Sequence, residues 1–132
     1  MPFGVRLERD IELRVVNWIW NVHKIRTIKL NIYGNRGYPD RIFLMPLRPA
    51  WIEFKRPGKK VRKLQDYRIT ELIEIGYDAI STDSATEAIE WLGRIYTARL
   101  SEAGYSASDI ASMRRISVTS WIRENKHHAG SV

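Results

Sequence analysis

Leu7, Ile11, Val15, Trp18 and Val22 recur at spacings of four and three. That is the period of one helical face, so the chain is predicted to open with an amphipathic helix over residues 6 to 22. From Ile25 the period drops to two: Ile28, Leu30 and Ile32 alternate with Lys29 and Asn31, which predicts a strand with Ile28 on its buried side. Gly34-Asn35-Arg36-Gly37-Tyr38-Pro39 reads as a turn, because two glycines and a proline interrupt either kind of regular structure. A second strand follows from Asp40 to Met45 and stops at Pro46. The five residues 46 to 50 make a hairpin loop, and Trp51-Ile52-Glu53-Phe54-Lys55 returns as a third strand. Beyond Pro57-Gly58, the positions Val61, Leu64, Arg68, Leu72 and Ile75 share a helical face, with Gly76 where a C-cap belongs.

Residues 77 to 82 read as a short buried strand, and Ser84-Ala85-Thr86-Glu87 has capping-box spacing. It opens a helix along Ala88, Ile89, Leu92 and Tyr96 that ends before Gly104. The resulting order is helix, three strands, helix, strand, helix, which predicts an α/β fold with a mixed sheet flanked by helices. Residues 1–104 form the predicted domain and 105–132 a C-terminal helical extension or tail. In that tail Ile110, Met113, Ser117 and Trp121 fit one helix face, or two short helices broken near Ile116-Ser117.

Composition narrows the function classes. The chain has 132 residues, 44% of them hydrophobic, enough for one core and too apolar for wholesale disorder. It contains no cysteine, so disulfides, thiolate metal sites and cysteine nucleophiles are excluded, and a reducing, cytoplasmic compartment is expected. The longest apolar-looking stretch, Val15 to Val22, is interrupted by Asn17 and Asn21. It falls short of the roughly 20 residues a membrane helix needs. The first ten residues carry no hydrophobic run ahead of their charges and do not read as a signal peptide.

The net charge of +7 is unevenly spread. Residues 1–66 hold 15 basic and 6 acidic side chains, whereas 67–132 hold 7 and 9. The densest run, Lys55-Arg56-Pro57-Gly58-Lys59-Lys60-Val61-Arg62-Lys63, has six positive charges in nine positions. Such a run concentrates phosphates through Coulomb attraction and counterion release, which favours nucleic acid as a partner, while a solvated, solubilising loop accounts for the charge equally well. Asn31, Tyr33 and Arg36 precede the second strand and suit either phosphate contact or a solvated edge.

Strand parity supplies candidate chemistry. Trp51, Glu53 and Lys55 point to one face of the third strand and Ile52 and Phe54 to the other. Folding the hairpin brings Asp40 to within about a residue of Glu53 or Lys55. Two carboxylates suit a hard cation such as Mg²⁺, which takes one or two protein carboxylates and keeps its waters. An ammonium beside them can orient attacking water at phosphorus, so phosphodiester hydrolysis is the reaction such a group would serve. An ordinary surface salt bridge between Glu53 and Lys55 explains the same spacing taken alone.

Gly37-Tyr38-Pro39-Asp40-Arg41, then Glu53-Phe54-Lys55 beginning twelve residues after Arg41, then Arg56-Pro57-Gly58 and Gln65, resembles the VRR-NUC branch of the PD-(D/E)XK nucleases over roughly residues 5 to 100. The resemblance implies a restriction-endonuclease-like αβββαβ core. It implies that Asp40 and Glu53, with the backbone carbonyl of Phe54, bind Mg²⁺ or Mn²⁺, and that Lys55 is the catalytic lysine. It gives Gln65 a role in orienting a ligand or phosphate. It calls for a glutamate in the first helix, where Glu12 matches better than Glu8, although both lie on one flank. It further implies a DNA substrate, structured or branched, and a homodimer, with no membrane partner. Arg36, Arg41, Arg56, Lys59, Lys60, Arg62 and Lys63 are the expected DNA-backbone contacts.

Three other features are expected to be quiet. His23, His127 and His128 lack metal spacing. Trp18, Trp51 and Trp91 are read as core rather than base-stacking platforms, and Trp20, off the helix stripe, as a subunit contact. The tail residues Ser108-Asp109-Ile110-Ala111, Ile116-Ser117 and Trp121 resemble a helix-turn-helix, with Arg115 in place of its usual glycine and Arg114 in place of an apolar residue. That second resemblance underlies the competing reading, a non-catalytic DNA-binding module that joins the tail to the basic 55–63 loop.

Overall fold

A computed structural model describes residues 7–30, 37–59 and 62–112. Its elements, in chain order, are α1 (Leu7–His23), β1 (Thr27–Lys29), β2 (Arg41–Phe43), β3 (Ala50–Phe54), α2 (Lys63–Glu74), β4 (Asp78–Thr82) and α3 (Ala85–Glu102). The strands lie in the order β1-β2-β3-β4. β1 with β2 and β2 with β3 are antiparallel, and β3 with β4 is parallel. This is the mixed, helix-flanked α/β sheet the periodicities predict. A parallel pair requires a crossover, and α2 makes it between β3 and β4.

Alternation along β3 is strict: Ala50, Ile52 and Phe54 are buried while Trp51 and Glu53 are partly exposed. The buried set joins Val15 and Ile19 of α1, Phe43 of β2 and Ala88, Leu92 and Tyr96 of α3 in the main core. On the opposite face Ile69 and Leu72 of α2 close over Ala79, with Tyr38, Trp51 and Tyr77 at the margin. Trp18 and Trp91 pack against the main core. Both later helices end as their sequences demand. Ser84 Oγ accepts from the Glu87 N–H at 3.1 Å to cap α3. Gly76 follows α2 with φ +102°, and Tyr77 N–H donates to Leu72 O, a Schellman closure that a glycine permits.

Three predicted faces differ from the structure. In α2 the buried residues are Ile69 and Leu72, while Leu64 and Ile75 of the predicted stripe are exposed. In α1 the buried residues are Glu12, Val15, Ile19 and His23. The stripe drawn through Ile11, Trp18 and Val22 therefore lies about one position to the side, with Ile11 and Trp18 still packed against the core margin. His23 is a core residue, its ring 4.2 Å from that of Tyr96 and 5.3 Å from that of Trp18. In β1 the expectation fails outright. Ile28 is 43% exposed, and Thr27 and Lys29 are the residues that face α1 through Arg41 and Glu12. Ile28 lies across from Ile42, Trp51 and Ala79 on the face that α2 covers, but α2 packs over the Trp51–Ala79 end and leaves Ile28, on the edge strand, exposed.

The end of the molecule away from the third strand's terminus is tied by ion pairs. Arg48, in the β2–β3 loop, meets Glu102 at 3.0 Å and donates to Gly76 O at 3.1 Å. The guanidinium of Arg99, almost wholly buried, lies 2.7 Å from Asp78. Residues 107–112 are helical, with Ser106 Oγ accepting from Asp109 N–H and Ile110 buried in the main core. Most of the predicted helix-turn-helix, including Arg114, Arg115, Ile116, Ser117 and Trp121, lies outside the described residues, as do Asn31, Tyr33, Arg36, Lys60, His127 and His128. No described helix is long and apolar enough to cross a membrane.

Candidate active site

The pairing of Arg41 with Ile52 and Ile42 with Trp51, continued by one residue, sets Asp40 opposite Glu53. Opposed residues share a sheet face with Cβ atoms about 5 Å apart. The backbone holds Asp40 there on its other side, because Leu30 N–H donates to Asp40 O at 2.6 Å. Lys55 follows β3 immediately, and its N–H donates to Thr82 O at 2.8 Å, extending the parallel ladder with β4 by one step. Lys55 is therefore on the same face as Glu53. Its Nζ lies 3.4 Å from Glu53 Oε2, and both side chains are largely buried. The group sits at the carboxyl end of the parallel pair, where α/β sheets open their ligand crevices.

Gln65, in the first turn of α2, has two tasks. Its Oε1 accepts from the Arg62 N–H at 3.2 Å, satisfying a donor at the helix start. Its Nε2 donates to Glu53 Oε2 at 3.3 Å. A helix terminus thereby fixes a strand carboxylate. The site is further supported by Gly37, whose φ of +89° turns the chain beneath α2 into β2. A Cβ there would meet Leu64 Cγ at 2.6 Å.

Burial, foremost, pushes the Glu53 carboxyl above the usual carboxylate range. Lys55 pulls it back, and the negative charges of Asp40 and Glu8 push it further up. Asp40, Glu53 and Glu8 thus form one crowded acidic field whose repulsion a cation would relieve. Among the described residues no three His, Cys, Asp or Glu side chains form a ready-made metal cage. The oxygen-only pair Asp40 and Glu53 nevertheless fits Mg²⁺, which needs few protein ligands beside its waters. Phe54, buried in the core, anchors the strand end that carries the third expected ligand, its backbone carbonyl.

The first-helix glutamate is engaged elsewhere. Glu12 Oε2 accepts from Arg41 Nε at 2.9 Å and Nη2 at 2.6 Å, and its two oxygens accept from Lys29 Nζ at 3.2 and 3.1 Å. Arg41 also donates to Thr27 Oγ1 at 3.2 Å, and only 15% of its side chain is exposed. Its guanidinium is held within the fold by Glu12 and Thr27, unlike the exposed cations of the expected DNA-contact set. Glu8, which residue spacing left level with Glu12, is the first-helix acid whose charge reaches Glu53. Lys29 was missed by the sequence reading. Its Nζ lies 3.5 Å from Asp40 Oδ2 as well as on Glu12, so it joins the two carboxylates. Its odd-numbered parity with Arg41 in a two-residue alternation was the available signal, obscured by taking Ile28 as the core residue.

Of the basic run, Arg56, Lys59, Arg62 and Lys63 are exposed. The loop is tied down where Gly58 N–H donates to Asp83 Oδ2 at 3.0 Å.

Against known proteins, no family model matches the chain and no curated protein matches its sequence. A solved structure described as a VRR_NUC domain protein is similar in fold, at a TM-score of 0.57 and 21% identity, over 67% of this chain and 86% of that one.

Proposed function

We propose that the chain is a VRR-NUC-type nuclease that hydrolyses DNA phosphodiester bonds with Mg²⁺ or Mn²⁺. The observation that carries the reading is the convergence of Asp40, Glu53, Lys55 and Gln65, from three separate elements, on one end of the sheet. A salt bridge alone requires no cross-strand aspartate and no helix-borne glutamine on the same carboxylate. Likeness to the VRR_NUC fold supports the same reading.

Asp40 and Glu53 would hold the divalent ion, with the Phe54 carbonyl, and that ion would supply Lewis-acid polarisation of the scissile phosphate. Gln65 keeps Glu53 Oε2 aimed by a hydrogen bond that survives ionisation of the acid. The Lys55 ammonium, held by Glu53 and protected from bulk water, donates to the attacking water or to the phosphate oxygen that gains charge. The water's oxygen bonds to phosphorus and gives up a proton to solvent as the ester P–O bond breaks, and the leaving alkoxide takes up a proton from solvent. The exposed Arg56, Lys59, Arg62 and Lys63 hold the flanking backbone. A small domain encloses little of a branched substrate, so a homodimer with two sites on a junction or flap completes the proposal.

The test is cleavage of supercoiled plasmid, single-stranded DNA and a four-way junction in Mg²⁺, Mn²⁺ or chelator. Cleavage should require the metal and fall by 10²-fold or more in both Asp40→Asn and Lys55→Met, on the order expected for losing a metal ligand or a charge-stabilising donor. Salt-sensitive DNA binding with no cleavage under any of these conditions would replace the enzyme with the non-catalytic binding module.

A further inference from the structure

The ammonium of Lys29 is placed between two acids of different standing. Glu12 is already paired by both Nε and Nη2 of Arg41, at 2.9 and 2.6 Å, so it does not need Lys29 to be satisfied. Asp40 has no such second partner: among the described residues, Lys29 is the cation in ion-pair range of it. The Lys29 side chain is 52% exposed and Asp40's is 43% exposed, so the bridge is at the mouth of the site, not in its packing. Burial works against this charge, but the hydrogen bond to Glu12 and the negative charges of Asp40 and Glu12 outweigh it. The neighbouring recess, lined by Glu8, Arg9, Glu12, Leu13, Lys29 and Arg41, has a volume near 500 Å³ and admits solvent and small ions to this bridge.

We propose that Lys29 is a positioning residue that competes with the divalent ion for Asp40 and so sets the metal concentration at which the site fills. The inference rests on the reading of Asp40 and Glu53 as metal ligands. An ion approaching Asp40 must displace the ammonium or accept a like charge within a few ångströms. Either route weakens binding relative to a site without Lys29. Once displaced, the ammonium remains tethered by its flexible stem beside Asp40 and Glu12, in reach of a phosphate oxygen arriving at the same mouth. Substrate phosphate that draws the ammonium off Asp40 therefore favours the metal. By linkage the metal must equally favour the phosphate.

Calorimetric titration of the full chain with Mn²⁺ alone, at low ionic strength and without DNA, tests this. Lys29→Gln should bind Mn²⁺ about 5- to 20-fold more tightly than the wild type, the order expected for removing one adjacent positive charge. Lys29→Arg, which keeps the charge, should stay near wild type. Arg94→Gln, the same charge change at an exposed position of α3, should leave affinity unchanged and so separates the contact from net charge. Thermal unfolding in chelator verifies that each variant is folded. Unchanged or weaker Mn²⁺ binding by folded Lys29→Gln, with wild-type binding intact and lost in Asp40→Asn, overturns the competition alone. Absence of Mn²⁺ binding by the wild type overturns the metal site and this inference with it.

Discussion

Three influences meet at Glu53: burial, the ammonium of Lys55, and the repulsion of Asp40 and Glu8. Because the balance raises its titration point, the folded chain prefers the neutral acid. That preference contributes stability in full below the ordinary glutamate range and is lost as pH rises through the raised value. Metal takes only the ionised form, so binding has to release the proton that Glu53 retains. The rise in Tm caused by saturating Mn²⁺ should therefore be smaller at acid pH, where Glu53 keeps its proton, and grow as pH rises. Glu53→Gln should abolish both the rise and its pH dependence. Differential scanning calorimetry across that range in Mn²⁺ and in chelator measures it, and a pH-independent Mn²⁺ effect would contradict the role given to Glu53.

Among elements, α2 is the one on which the site's geometry depends most. Gln65 reaches Glu53 only while the first turn of α2 rests on the Gly37 turn, where the left-handed backbone and the 2.6 Å approach to Leu64 leave no space for a side chain. Gly37→Ala should destabilise the fold by about 1 to 3 kcal/mol, from the strained φ and the displacement of α2 together. It should also lower kcat by more than it raises KM, because Gln65 moves while Arg56 and Lys59 stay with the loop that Gly58 ties to Asp83. Denaturant unfolding and steady-state cleavage read the two effects separately.

Sequence made much of this arrangement legible. The three-and-four spacing located α1, α2 and α3, and the alternation Trp51-Ile52-Glu53-Phe54 put Glu53 and Lys55 on one face without any structure. Long-range pairing was not legible. Glu12 reads as a polar residue on a helix flank, yet it is buried because Arg41, 29 residues on, and Lys29, 17 residues on, neutralise it. Local periodicity carries no information about such partners. For the same reason alternation does not reveal that α2 stops short of Ile28 on the sheet face they share.

At the scale of the whole molecule, the excess positive charge of residues 1–66 is divided between two tasks. Arg41 and Lys29 are turned onto Glu12 and Asp40, and Arg48 onto Glu102, so these cations balance carboxylates within the fold. Arg56, Lys59, Arg62 and Lys63 project from the β3–α2 connection directly beyond the Glu53-Phe54-Lys55 strand end. Their field is free to act on a polyanion, and it is centred next to the candidate chemistry. Each cation placed against a duplex phosphate contributes about −0.9 to the slope of log K against log salt. Replacing Arg56, Lys59 and Lys63 together with glutamine should thus flatten that slope by about 2 to 3 and weaken binding most at low salt. Tm should stay within about 1 kcal/mol equivalent of wild type, since exposed charges contribute little to folding. Cleavage at saturating DNA should be retained, because Asp40, Glu53, Lys55 and Gln65 are untouched. Replacing Arg41 should do the reverse, lowering Tm by unpairing buried Glu12 while leaving the salt slope nearly as it was. Anisotropy titrations from 50 to about 300 mM salt distinguish the two groups. An unchanged slope in the triple variant would mean that DNA approaches the sheet from another side.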